Sequence, residues 1–367
     1  MPVEIKKSAV TPSVDSWTLS NGSVSMEVLN YGCTILSITA PDRDGNVEEV
    51  TLNHRTYSEL SDEANFGPYY GCVAGRVANR VAKGLFDLNG QTYRLPINNG
   101  ENSLHGGLEG FNKKLFSVQS SVNEETGSGK IECNYTSKDG EEGYPGTINV
   151  IVVYTLTMQN SIEMEYNVQL EEGQILKTII NLTNHTYFNM SGNCRDKAHD
   201  HTLQLSCSKY CPPNEKQIPT GDIVDVKGSS FDFTEPTELG QRIDTIDGCG
   251  EPGLDHNFVV DGALDTTLDM SSVAAGAGPA MRYVATLTHE KSGRKMILHA
   301  SQPGVQVYTA NWLSKDNSEH PFIQHNGVCL ETQHFPDSIN QPTFPSCVLS
   351  PGETYNHKAI FSFAVTK

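Results

Sequence analysis

The chain of 367 residues is 37% hydrophobic and 19% charged, with a formal net charge of −18. That acidity disfavours nucleic acid and anionic membranes as partners, since both recruit clustered lysine and arginine. No apolar run approaches the ~20 residues that a membrane-spanning helix needs.

Met1-Pro2-Val3-Glu4-Ile5-Lys6-Lys7 precedes no apolar core of the kind a signal peptide carries. Nine scattered cysteines, an odd number, then read as reduced thiols in a cytoplasmic protein.

From the N-terminus, residues 17–28 read as a hairpin turning at Asn21-Gly22, because both centres of a tight two-residue turn favour positive φ. Asp44-Gly45 repeats the device between 35–38 and 47–52, and Asn89-Gly90 does so between 85–88 and 91–95. Residues 162–170 alternate apolar and polar side chains, the period of a strand with one buried face. Residues 282–288 and 294–299 flank Lys291-Ser292-Gly293 as a further hairpin, and 355–365 closes the chain as a strand. Helical periodicity is confined to 58–65 and 237–243, and the Gly/Ala-rich 273–279 reads as a flexible surface loop. Turn signals spread over the whole length, without a linker or repeat, predict an all-β fold. It is a single domain over 1–367 forming one large antiparallel β-sandwich.

The densest polar stretch is Thr183-Asn184-His185-Thr186-Tyr187-Phe188-Asn189, which follows the apolar Ile179-Ile180-Asn181-Leu182. Strands do not ordinarily collect amides and imidazoles, so these groups need partners or a function. Phosphate loops, nucleotide fingerprints and a serine elbow are absent. Cys207 and Cys211 lack a second pair at zinc spacing, and His199-Asp200-His201 reads as a solvated, exposed loop. What remains is Asn79 and Arg80 after Gly75-Arg76, His105 before Gly106-Gly107, Asp255 before His256-Asn257, Gln306, and Glu331 at a strand end. Each alone fits a turn residue, a cap or a surface charge. Together, with Tyr187, Trp312 and Phe335 as apolar faces, they suit a neutral polyhydroxylated ligand, which needs many hydrogen bonds and a stacking surface.

Six segments carry a family resemblance. They are Gly75-Arg-Val-Ala-Asn-Arg80, Asn102-Ser-Leu-His-Gly-Gly107, Asp139-Gly-Glu-Glu-Gly-Tyr-Pro-Gly146, Asn184-His-Thr-Tyr-Phe-Asn189, Leu254-Asp-His-Asn-Phe258 and Leu330-Glu-Thr-Gln-His-Phe-Pro-Asp337. In this order, over about residues 15–365, the chain resembles the aldose 1-epimerases, or galactose mutarotases.

The resemblance implies a β-supersandwich with an open cleft, acting on galactose and glucose as monomer or weak dimer, without metal or other cofactor. It implies Glu331 as the base on the anomeric hydroxyl and His185 as the acid at the ring oxygen. Arg80 and His105 would hold the sugar near that oxygen. Asn79, Tyr187, Asp255 and Gln306 would make further contacts. Within the central stretch, His185 and Tyr187 would face the sugar, while Asn184 and Asn189 anchor the strand end. Nearby carboxylates such as Glu331 or Asp255 are expected to favour a charged His185. Two alternatives stand beside this reading. One is a phosphosugar epimerase, which needs extra cations such as Arg76, and the other is a sugar-binding protein without turnover.

Overall fold

The structure, a computed structural model, describes residues 2–53, 60, 68–192, 194–264, 280–316 and 322–366. The expected loop at 273–279, and the expected helical turn at 58–65 apart from Leu60, lie outside these residues.

Strand alternation builds the largest layer. In Ser161–Leu170, Ile162, Met164, Tyr166 and Val168 are buried while Glu163, Glu165 and Asn167 are part-exposed. This strand lies between Ile148–Leu156 and Thr354–Val365 in a nine-stranded antiparallel sheet that runs from Ser117–Val122 to Thr237–Glu238. A seven-stranded antiparallel sheet holds, in spatial order, Val224–Asp225, Lys209–Cys211, Asp255–Val259, Gly304–Tyr308, Val328–Gln333, Tyr187–Phe188 and Thr51–Leu52. Phe188, Phe258, Val305, Val307, Val328 and Leu330 of this sheet share one apolar cluster with Ile162, Met164, Leu298 and Phe361 of the nine-stranded sheet. The expected antiparallel sandwich is thus present, joined by a five-stranded sheet from residues 4–49.

The turns follow the sequence with two adjustments. Leu88 pairs with Gln91, and both Asn89 and Gly90 have positive φ, so this hairpin has the two-residue turn expected of Asn-Gly. Around Asn21-Gly22, by contrast, Ser20 pairs with Ser25 and the loop is four residues long. Asn21 Oδ1 accepts the N–H groups of Ser23 and Val24, so a side chain closes the loop that a tight backbone turn would have closed. Around Asp44-Gly45, Pro41 pairs with Val47 and Asp42 Oδ1 accepts from Asp44 and Asn46. The helical signal at 237–243 resolves into the edge strand Thr237–Glu238 and two short 3₁₀ turns, Leu239–Gln241 and Ile243–Thr245.

Two sequence expectations are overturned. His201 is not solvated: it opens the strand His201–Leu205, is fully buried, and accepts the Met190 N–H at Nε2 (2.8 Å). Opposite His289 in the sheet, it shares Asp200, which lies 3.3 Å from both imidazoles and 2.9 Å from Lys291 Nζ. Arg76 is equally committed. Its Nη1 donates to the Pro145 and Gly146 carbonyls, its Nη2 donates to Ser137 Oγ, and the guanidinium lies over the Tyr144 ring. The Asp139–Gly146 motif therefore serves to hold a buried cation, whose two NH₂ groups are spent on protein oxygens while its Nε is buried. All nine cysteines are free thiols, and no helix among the described residues is long and apolar enough to cross a membrane.

Replacing Arg76 by leucine would strand several buried carbonyls and is expected to cost about 3 kcal/mol or more. Urea denaturation reads this directly. An unchanged midpoint would show that the guanidinium is dispensable.

Candidate active site

Asn257, Gln306 and Glu331 are cross-strand neighbours on three adjacent strands, with Asn257 opposite Gln306 and Gln306 opposite Glu331. Alternation sends the residues between them, Phe258, Val305, Val307 and Leu330, into the apolar core. The opposite face is polar yet buried. Asn257 Oδ1, Gln306 Oε1, Glu331 Oε2 and both amide atoms of Gln333 have no hydrogen-bond partner among the described residues. Buried polar groups without partners are rare in folded proteins, and a patch of them points to a ligand that supplies hydroxyls.

The central stretch delivers His185 onto this face. Thr183–Asn184 pairs with Val73–Ala74, whereas Tyr187–Phe188 crosses into the seven-stranded sheet between Val328–Gln333 and Thr51–Leu52. At the crossing, the His185 backbone donates to the Cys72 carbonyl (2.9 Å) and accepts from Gly71 (3.0 Å). Asn184 Oδ1 accepts the Thr186 N–H (3.1 Å), and its Nδ2 donates to the Gly71 carbonyl (2.8 Å). Asn189 donates to the Asp196 and Asn326 carbonyls and accepts from Ser191. Both asparagines therefore spend their amides on backbone. His185 Nε2 then stands 3.7 Å from Glu331 Oε1, both side chains buried. Tyr187 stacks on His185 with ring centroids 5.0 Å apart, and its hydroxyl donates to the Pro68 carbonyl (2.7 Å). Its place is behind the imidazole.

The other sequence-predicted residues converge here. His105 packs edge-on to His185 at 5.2 Å, and its Nδ1 accepts the Asn79 backbone N–H (3.2 Å). A backbone N–H can only donate, so the neutral His105 ring carries its proton on Nε2 and offers a donor there. The close approach allowed by Gly106 is to protein: a Cβ there would overlap the Gly75 carbonyl. Asn79 Oδ1 accepts the Arg80 N–H (2.8 Å). Arg80 Nε donates to Asn99 Oδ1 (3.1 Å), while Gln306 Nε2 donates to Asp255 Oδ1 (2.7 Å).

Phe335 is buried against Phe344 in a separate cluster, and Trp312 is largely exposed. Two residues escaped the sequence reading. Tyr69 packs against both His105 (4.6 Å) and His185 (6.0 Å), and Gln217 bridges Arg80 and Asp255. Tyr69 lies two residues before Gly71, whose partnership with His185 has no sequence signature.

Burial governs the electrostatics. Desolvation, then the Asp255 charge, raises Glu331 well above the ordinary carboxyl range, against the pull of Arg80. Desolvation lowers His185 to about 4, reversing the expectation that neighbouring carboxylates would keep it charged. His105 is lowered by burial, His185 and Arg80, and Asp255 is raised by burial. The donor atoms of His185, Cys329 and Glu331 lie within 4.8 Å of one another. As metal ligands they are weakened because burial, then Glu331 and Asp255, keep the Cys329 thiol protonated.

A buried carboxyl and imidazole 3.7 Å apart, framed by amides and a guanidinium, are groups of the kind that acid–base catalysis uses. The family comparisons agree. The aldose 1-epimerase family model matches residues 15–362. The galactose mutarotase of Bos taurus is 38% identical over 356 residues, 96% of this chain and 95% of the relative. The aldose 1-epimerase of Escherichia coli (strain K12) is 31% identical over 349 residues, 94% of this chain and 93% of the relative. In fold, a galactose 1-epimerase from Lactobacillus acidophilus superposes with a TM-score of 0.80 at 24% identity, covering 100% of this chain and 99% of that one. The chain belongs to the aldose 1-epimerase family and is an isomerase acting on carbohydrates.

Asn189→Ala leaves two buried carbonyls and two Ser191 donors unmatched, and should cost about 2–3 kcal/mol of stability while leaving the rate per folded molecule near wild type. Denaturation and an active-fraction-corrected assay test this together, and intact stability with a collapsed rate would contradict it. A second expectation concerns acid. His185, His256 and His334 are lowered to about 4 and His357 to about 3, in each case chiefly by burial. Their folded affinity for protons lies below the unfolded one of ~6.5, so the unfolded chain binds more protons as pH falls. Stability is therefore full above ~6.5 and drops toward pH 4, each histidine adding up to ~1.4 kcal/mol per pH unit. His357→Gln should lower stability at pH 7 yet lose less between pH 7 and 5 than wild type, as read by denaturant midpoints.

Proposed function

We propose that this enzyme interconverts the α and β anomers of galactose, and of glucose, by acid–base opening and closing of the sugar ring. The observation that carries the reading is the buried pair His185 Nε2 and Glu331 Oε1, 3.7 Å apart, with Glu331 Oε2 unpartnered among the described residues. Glu331 takes the proton of the anomeric hydroxyl as that oxygen becomes a carbonyl. The bond from the anomeric carbon to the ring oxygen breaks, its electron pair stays on that oxygen, and His185 Nε2 supplies the proton. Rotation about the bond to the neighbouring carbon turns the other carbonyl face toward the ring oxygen, and the steps reverse. His105 Nε2–H and Arg80 act as donors to the sugar, Asp255 and Gln306 as acceptors, and Asn79 through its amide N–H₂.

The shifts in proton affinity suit this cycle. Ring opening converts Glu⁻/His⁺ into neutral carboxyl and neutral imidazole, and the dry pocket favours the neutral pair. Burial thus stabilises the stage at which the open-chain sugar, the less stable form, must exist. The two protonation forms differ by one proton carried through a hydroxyl between groups already close together. We read residues 1–367 as one catalytic unit, and a cytosolic setting suits its nine free thiols. A phosphosugar would find Arg76 already committed to backbone carbonyls, which favours an uncharged sugar.

Polarimetry on freshly dissolved α-D-galactose is the direct test. The wild-type protein should hasten relaxation of the rotation, and Glu331→Gln and His185→Asn should each slow the enzymatic rate by about 10²–10⁴-fold. A variant that keeps the wild-type rate removes that residue from the mechanism. The same assay on α-D-glucose gives the sugar preference, and a glucose rate at the buffer level would confine the activity to galactose.

A further inference from the structure

Asp255 and Arg80 carry opposite charges in the same buried pocket, yet a neutral side chain stands between them. Arg80 Nη2 donates to Gln217 Oε1, and Gln217 Nε2 donates to Asp255 Oδ2 (2.8 Å). Gln306 occupies the other carboxylate oxygen (2.7 Å), so the order across the pocket is Arg80, Gln217, Asp255, Gln306. A neutral carboxamide accepts from a guanidinium through its oxygen while donating to a carboxylate through its nitrogen. A direct bidentate pair between Arg80 and Asp255 would consume the donors and acceptors that face a ligand. The amide holds the two charges apart and leaves Arg80 Nη1 without a protein partner among the described residues.

The backbone is built to present this side chain. Gln217 has φ +59°, a left-handed conformation that a residue with a Cβ adopts only at a cost. The loop that imposes it is tied down on both sides. Asn214 Oδ1 accepts from the Lys216 and Ile218 N–H groups, and the Gln217 N–H donates to the Asn214 carbonyl (2.9 Å). Asn102 Nδ2 donates to the Lys216 carbonyl (3.1 Å), and Gln341 Nε2 donates to the Pro219 carbonyl (3.2 Å). Asn102 belongs to the segment that also supplies His105, so the loop is registered against the sugar pocket itself.

We propose that Gln217 is a substrate-positioning residue, setting Arg80 and Asp255 in place for adjacent hydroxyls of the sugar. The proposal rests on the sugar reading above. It acts through two other side chains, so its loss weakens sugar binding more than it slows chemistry.

The test uses Gln217→Met, which keeps length without polar atoms, and Gln217→Glu, assayed by polarimetry with galactose from pH 5 to 8. Far-ultraviolet circular dichroism confirms folding. Gln217→Met should raise KM about 10-fold, with kcat within about threefold of wild type, the size expected for one lost hydrogen-bonded bridge. Gln217→Glu should be worse than Met at pH 8, because a carboxylate faces Asp255. It should recover toward wild type as pH falls, when the protonated carboxyl again accepts from Arg80 and donates to Asp255. A purely structural role cannot give that pH-dependent rescue. Unchanged KM in the Met variant, or equal impairment of both variants at every pH, overturns the proposal. A wild-type protein that does not hasten relaxation sinks the mutarotase reading instead, and galactose calorimetry on the same variants then decides whether Gln217 positions a bound sugar.

Discussion

The face formed by Asn257, Gln306, Glu331 and Gln333 is polar and nevertheless shut away from bulk water, and the rest of the structure depends on that conflict. A β-sheet buried on both sides normally presents apolar residues to both, because each orphaned amide or carboxyl carries a desolvation cost. Here the face toward the nine-stranded sheet is apolar, while on the other face the polar patch lies between two small apolar clusters, one with Tyr187, Tyr308 and Cys329 and one with Cys211 and Val259. The cost on the other face is tolerated because the large core beneath it, drawn from three sheets, is independent of it. A neutral sugar, rich in donors and acceptors, is the kind of ligand that satisfies such a surface without adding charge to a dry pocket.

Geometry within the pocket is set by where strands change partners. His185 lies at the crossing from one sheet pairing to another, and its backbone is held at both N–H and carbonyl. Asn184 and Asn189 complete that anchoring with their side chains, leaving the imidazole little freedom to leave Glu331. His105 is fixed in the same manner, by a backbone N–H from Asn79 that also determines which ring nitrogen carries the proton. Rigid strands and hydrogen-bonded loops, as opposed to mobile tips, therefore carry the reactive groups, an arrangement that favours constant geometry during a proton transfer.

Much of this was legible in the sequence, and what was not has physical reasons. Period-two alternation and Asn-Gly turns announced an antiparallel sandwich, because strand pattern and turn chemistry are local properties. The residues Asn79, Arg80, His105, His185, Asp255, Gln306 and Glu331 stood out as polar groups in strand-end contexts, and the structure brings them to one pocket. Tertiary commitments were hidden. Arg76 looked available for an anion until the Asp139–Gly146 segment closed over it, and His201 looked solvated until His289 and Asp200 came beside it. Gln217 lies in an ordinary-looking Asn-Glu-Lys-Gln loop, and only the fold reveals that its amide spans two charges more than one hundred residues apart from one of its partners.

The direction of the proton affinities was also beyond the sequence, and it changes how an acid–base pair of this kind should be understood. Local reasoning pairs a carboxylate with an imidazolium and expects each to stabilise the other's charge. In this pocket burial outweighs that attraction for both groups, lifting Glu331 and lowering His185. Lifting the base and lowering the acid inverts their ordinary order of proton affinity, so the neutral pair is favoured over the charged one. In the proposed cycle that bias falls on the open-chain stage, which has to be reached from both anomers. A site tuned to hold the charged pair would bind the cyclic sugar well but oppose the open-chain stage. In the proposed cycle, a pocket dry enough to favour the neutral pair shifts the balance toward that stage, with the polar amides around it as partners for the open-chain sugar.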